Sequence, residues 1–150
     1  MNKFLLPYRW KMAGIVLSSA GAISALFYSL FDFKFKMTVF AVYSSFLDTK
    51  ILQTFNTNVA EEITLSLLIT GLSLIVFSRE KKETADLEAI RSKAMARAVI
   101  INNVLLLFSV LFIYGTGFIA VLVLNIFSLL LLYLVFFYFS IRKNYGKISR

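Results

Sequence analysis

Residues 98–141 read AVIINNVLLLFSVLFIYGTGFIAVLVLNIFSLLLLYLVFFYFSI, an unbroken run without Asp, Glu, Lys or Arg. One bilayer crossing takes about 20 apolar residues, so the run is too long for one span and long enough for two. Gly115-Thr116-Gly117 is the turn signal near its middle. We therefore expect span three over about 98–114 and span four over about 118–141, joined so tightly that they run antiparallel. Arg142 and Lys143 end the fourth span.

Two more spans lie upstream. Met12–Phe31 carries no charge and, at about 1.5 Å rise per residue, covers roughly the 30 Å of a hydrocarbon core. Arg9, Trp10 and Lys11 precede it as a basic and aromatic interface anchor. The second span is expected over about 59–78. Asn58 reads as its N-cap, with Glu61 three residues on as in a capping box. Glu61 and Glu62 then fall in the first turn, where the helix dipole favours negative charge. Lys3, Arg9 and Lys11, an apolar run and Ala20-Gly21-Ala22 also fit a cleaved signal peptide. The run continues to Phe31, too far for an ordinary signal core, so a retained span is preferred.

Composition agrees with this reading. Of 150 residues 59% are hydrophobic, 16% are charged, and the net charge is +8; the mean hydropathy is +0.81. The basic residues are not spread evenly. Three lie before the first span (Lys3, Arg9, Lys11) and six in the 79–97 loop (Arg79, Lys81, Lys82, Arg91, Lys93, Arg97). Four more follow the fourth span (Arg142, Lys143, Lys147, Arg150), and three lie in 32–62 (Lys34, Lys36, Lys50). Four spans put the first three regions on one side, thirteen basic residues against three. The positive-inside rule makes that side the cytoplasm, with both termini in it. A basic excess is what topology selection produces, so nucleic acid is not an expected partner.

The fold class expected is thus an all-α membrane protein, a bundle of four transmembrane helices forming a single domain. A short β-hairpin is expected in the extracytoplasmic loop, 32–57. Phe33, Phe35, Met37, Val39, Ala41 and Tyr43 alternate with Lys34, Lys36, Thr38, Phe40 and Val42, a period of two rich in aromatic and β-branched residues. Ile51, Gln53 and Phe55 suggest a shorter partner strand. A lone hairpin is marginal in water, so the loop is expected to rest on its own helix ends or, in the sharper reading, to dock another protein. In the cytoplasmic loop, 79–97, Leu87, Ile90, Ala94 and Ile101 share a helical face, and Glu88 and Arg91 can pair across a turn. We expect the third helix to begin near Thr84. Arg79, Lys81, Lys82 and Arg91 are the candidate contact surface for a soluble protein or anionic lipid.

Chemistry is sparse. With no Cys and no His, disulfides are impossible and the usual zinc, haem and proton-transfer side chains are missing. No catalytic residue, metal or cofactor is expected, and no span carries a charge at its middle. Asn102, Asn103 and Asn125 are the embedded amides. They are candidates for interhelical hydrogen bonds or for lining a pore or ligand pocket. Asn102 and Asn125 are expected at different depths and so not to pair. Gly14, Ser18, Gly21, Ala25 and Ser29 form a small-residue stripe that lets backbones approach closely. Ser66, Thr70 and Ser73 offer span two a similar face. These stripes suit packing within the chain or a homo-oligomer.

Phe31-Asp32-Phe33-Lys34-Phe35, the Ser78-Arg79-Glu80-Lys81 start of the inner loop, and Asn102 with Tyr114-Gly115 resemble a group of small bacterial four-span membrane proteins. The resemblance covers most of the chain. It implies a bacterial cytoplasmic (inner) membrane. Some members are encoded beside small helix-turn-helix regulators, which implies a sensor or regulator at the membrane. The group has no established activity and lends no catalytic residue. The expected function is a non-enzymatic regulatory, sensory or interaction subunit; the alternative is a small oligomeric channel or transporter using the Asn residues.

Overall fold

A computed structural model describes residues 5–31, 34–44, 50–81 and 85–148. These form α1 (Tyr8–Phe31), β1 (Lys36–Ser44), β2 (Lys50–Asn58), α2 (Ala60–Val76), α3 (Ala85–Phe112) and α4 (Thr116–Ile148). Three helical stretches are long and apolar enough to cross a membrane: Tyr8–Phe31, Asp86–Phe112 and Gly117–Lys143. They cover the expected spans one, three and four. α2, with 17 residues, covers most of the second. The outward faces are apolar. Leu30, Phe31, Phe112 and Phe139 are each about 70% exposed, an arrangement that lipid tolerates and water does not.

The chain divides into two compact units, Val16–Gly71 and Met1–Ile15 with Leu72–Arg150. The second is built on the α3–α4 hairpin. Ile113 N–H still donates to Ser109 O at 2.8 Å, and Phe118 N–H donates to Gly115 O at 3.1 Å, so the reversal takes only a few residues. Gly115 makes this possible with φ of 71°, in the left-handed region where a Cβ is strained. Along α3, Leu87, Arg91, Ala94, Ala98 and Asn102 are buried at spacings of four, three, four and four, a helical stripe. Ala94 and Ala98 are small enough for the Tyr133 and Phe137 rings of α4 to pack in the same core, with Val76 and Leu87. The two rings stack on each other with centroids 5.7 Å apart.

The expected α3 face is correct at Leu87, Ile90 and Ala94. It fails at Ile101, which is 38% exposed. The stripe continues through Asn102 instead, because 98 to 102 is the four-residue step that stays on the buried side. The helix begins at Ala85, beside the expected start; Thr84 itself lies outside the described residues.

In the other unit the hairpin is longer than expected. β1 and β2 are both nine residues and pair antiparallel from Lys36↔Asn58 to Ser44↔Lys50. Polar Thr54, Asn56, Thr57 and Asn58 of β2 carry no alternating signal, so the shorter partner reflected side chains where backbone pairing ruled. The hairpin base is tied to α2. Val59 N–H donates to Phe35 O at 2.9 Å, and Asn58 Oδ1 accepts from Phe35 N–H at 2.8 Å and Ala60 N–H at 3.3 Å. Asn58 thus caps α2 from just outside its first turn. The Glu61 carboxylate accepts a hydrogen bond from the Tyr28 hydroxyl.

Three contacts pair α1 with α2 in this unit: Gly21 with Leu68, Ser24 with Thr64 at 2.7 Å, and Tyr28 with Glu61. As one partner number rises the other falls in step, so these helix stretches run antiparallel. Thr64 and Gly71 of α2 are buried while Ser66 and Thr70 are exposed. Of the expected Ser66, Thr70 and Ser73 face, Ser73 is half-buried, and Ser66 and Thr70 line an open groove with Leu17 of α1. An added Cβ at Gly21 would lie 2.9 Å from Leu68 Cγ and 3.0 Å from its backbone N. At Gly117 it would meet only Ile113 Cγ2, at 3.6 Å. Gly21→Ala is expected to lower the detergent melting temperature, by about 1–3 kcal/mol of overpacking. Gly117→Ala is expected to leave it unchanged or raise it slightly, because Ala favours helix.

Candidate functional site

The polar groups of the larger unit gather in two places. The first lies where the chain before α1 meets the chain after α2. Leu6 N–H donates to Phe77 O and Arg79 N–H to Leu6 O, both at 2.9 Å, forming a one-residue parallel bridge between Leu6 and Ser78. The second span was expected to stay helical to Ser78. α2 ends at Val76 instead, and this bridge takes the backbone groups that helix would have used.

Arg91 of α3 reaches into this junction. Its guanidinium Nη1 donates to Ser78 O at 3.2 Å, and its Cζ lies 4.9 Å from the centroid of the Phe137 ring. Lys11 of α1 lies beside it: Nζ is 2.5 Å from Glu80 Oε1 and 5.1 Å from the centroid of the Tyr138 ring. Two cations thus rest on neighbouring rings of α4, and each is met by an oxygen from the 78–80 segment. Lys11 is 6% exposed and Arg91 8%. Burying a cation is tolerable only with such partners, and removing one partner leaves a strongly unfavourable charge. The cluster clamps four chain segments together.

This corrects the expectation for Arg91. Expected at a cytoplasmic contact surface, it is buried instead. Its place in the Leu87–Asn102 stripe was the sequence signal that could have shown this. Lys11, expected as an interface anchor, is buried here too, and Ser78 and Glu80 carry no expected role; they join the site through the Leu6–Ser78 bridge, which no local pattern announces. Of the other residues in that surface, Lys81 is exposed, Arg79 is half-buried, and Lys82 lies outside the described residues.

The second polar place is amidic. Asn102 Nδ2 donates to Asn125 Oδ1 at 3.1 Å. The expectation that they could not pair is overturned. Both residues lie at similar distances from the Gly115 turn, and the turn sets the register of the two helices. Asn102 is 4% exposed, and its Oδ1 has no hydrogen-bond partner among the described residues. Asn125 is half-buried; Asn103, one residue on, is exposed. In the small-residue stripe Gly14 and Gly21 are buried, Ser18 and Ala25 are half-buried, and Ser29 is exposed. Within it, Gly21 packs against Leu68. Among the described residues no group of three or more acids could hold a metal ion.

Comparison with family models, with curated proteins and with solved structures finds no match. The resemblance to small bacterial four-span proteins accordingly rests on its three short motifs.

The Asn102–Asn125 bond makes a quantitative prediction. Asn102→Leu, Asn125→Leu and the double variant should form a thermodynamic cycle with coupling of about 0.6 kcal/mol, and no more than about 1.7 kcal/mol. Denaturation in mixed micelles would measure it; additive single effects would mean the amides do not meet.

Proposed function

We propose that this chain is an integral membrane protein of four spans, with both termini in the cytoplasm, acting by contact as a regulatory, sensory or interaction subunit. The hairpin carries the reading. It is a two-stranded sheet with exposed apolar side chains at Met37 and Phe40, and at Phe35 just before β1. Two strands alone are marginal in water, and each has an open edge that can accept a further strand. A second protein docking there would satisfy both. The buried polar groups support the same reading, since Arg91, Lys11 and Asn102 are engaged with other parts of the chain.

The four-span topology is supported by the basic residues, thirteen on the proposed inner side against three outside. α2 would cross with about 25 Å of helix, at the short end of the usual range. The absence of cysteine makes labelling a clean test. Thr54 and Ser92 are exposed. Thr54→Cys should react with an impermeant maleimide on intact cells, and Ser92→Cys only after permeabilisation. The opposite pattern would invert the topology; labelling of both on intact cells would remove it.

For the contact role, a photo-crosslinker at Phe40 should give one saturable adduct with a protein other than this chain, lost when Met37 is changed to Asp. Recovery of the chain alone, at native expression, would rule against the hairpin as a docking edge. A second reading, a small oligomeric channel or transporter, is favoured by the orphaned Asn102 Oδ1. It would require liposome flux that Asn102→Leu abolishes.

A further inference from the structure

We propose that the basic end of α4 holds one anionic phospholipid, acyl chain along the helix and phosphate on Arg142 and Lys143. The inference rests on the reading above that α4 crosses a bilayer. Leu134, Val135, Tyr138, Phe139, Arg142 and Lys143 line a groove of about 610 Å³. Their numbers form two rows at four-residue steps, 134–138–142 and 135–139–143, which run along one side of a helix. Both rows are apolar for two steps and basic at the third. That is the order of a lipid: hydrocarbon, then phosphate.

Depth fits the same order. Measured from the start of α4 at Thr116, Leu134 to Phe139 lie about 27–35 Å along the axis and Arg142 and Lys143 about 39–41 Å. A hydrocarbon core is about 30 Å and the bilayer with headgroups about 40–45 Å. With the Gly115 turn at the outer edge of one headgroup layer, Leu134 to Phe139 lie in the far end of the hydrocarbon core and the two cations at the opposite headgroups.

The local charge is complementary to an anion. Arg142 and Lys143 are exposed and form no ion pair among the described residues. Lys11 sits over the Tyr138 ring in the groove wall, but Glu80 already meets its charge. Glu80 is thus engaged by Lys11 rather than by the two exposed cations. An acidic peptide is the poorer occupant. Along Leu134–Phe139 its backbone would lie in hydrocarbon with its N–H and C=O groups unpaired, whereas an acyl chain has none to pair. Two basic residues at a membrane surface favour an anionic headgroup over a zwitterionic one by roughly thirtyfold.

The test uses the full chain in neutral detergent, titrated separately with phosphatidylglycerol, phosphatidylcholine and inorganic phosphate, and read by native mass spectrometry and thermal melting. The wild type should retain one phosphatidylglycerol in preference to phosphatidylcholine, with a larger rise in melting temperature. The Arg142→Gln/Lys143→Gln variant should treat both lipids alike. Lys81→Gln/Lys93→Gln, which removes as much charge elsewhere, should keep the preference. Equal retention of the two lipids by wild type would overturn the proposal. So would a preference that survives in the first variant, or one lost equally in the second. Displacement of the lipid by inorganic phosphate would show an anion site with no use for the acyl chain, and would overturn it too. Failure of the membrane reading looks different: a chain that stays monodisperse without detergent and gains no stability from either lipid.

Discussion

The reversal at Gly115 is the constraint on which the larger unit depends. Two apolar helices of 28 and 33 residues are joined by so few residues that they must lie side by side. Once they do, register follows. Ala94 and Ala98 share a core with Tyr133 and Phe137, and Asn102 meets Asn125. A side chain at Gly115 would strain the φ of 71° that permits this.

The buried cations follow from that register. Tyr133 and Phe137 bring aromatic surface to the α3 stripe, and Phe137 and Tyr138 then offer their faces to Arg91 and Lys11. Ring faces attract cations, most strongly where water is scarce. The oxygens that complete the arrangement come from Ser78 and Glu80, held in place by the Leu6–Ser78 bridge. A backbone leaving a helix in apolar surroundings must find new partners, and here the chain before α1 supplies them.

The smaller unit relies on close approach. Gly21 lets α1 reach the backbone of Leu68, and the Ser24–Thr64 bond joins the same two helix stretches. Small residues and hydroxyls do this where hydrocarbon offers helices no hydrophobic reason to associate. The hairpin base is fixed by Asn58, whose one oxygen serves both the strand entry at Phe35 and the helix start at Ala60.

The linear sequence by itself determined three apolar helices, the Gly115 turn, the hairpin and the early start of α3. Each of these depends on solvent preference or local backbone geometry, which run lengths, periodicity and glycine record directly. Even the stripe that buries Arg91 is present in the spacing of its neighbours. Tertiary structure alone decided what the polar groups do. Arg91 turned from a surface charge into a clamp, Asn102 found Asn125, and Lys11 joined Glu80 across 69 residues. These outcomes depend on which segments come together, and a side chain's type states its need for a partner without saying where in the chain that partner lies.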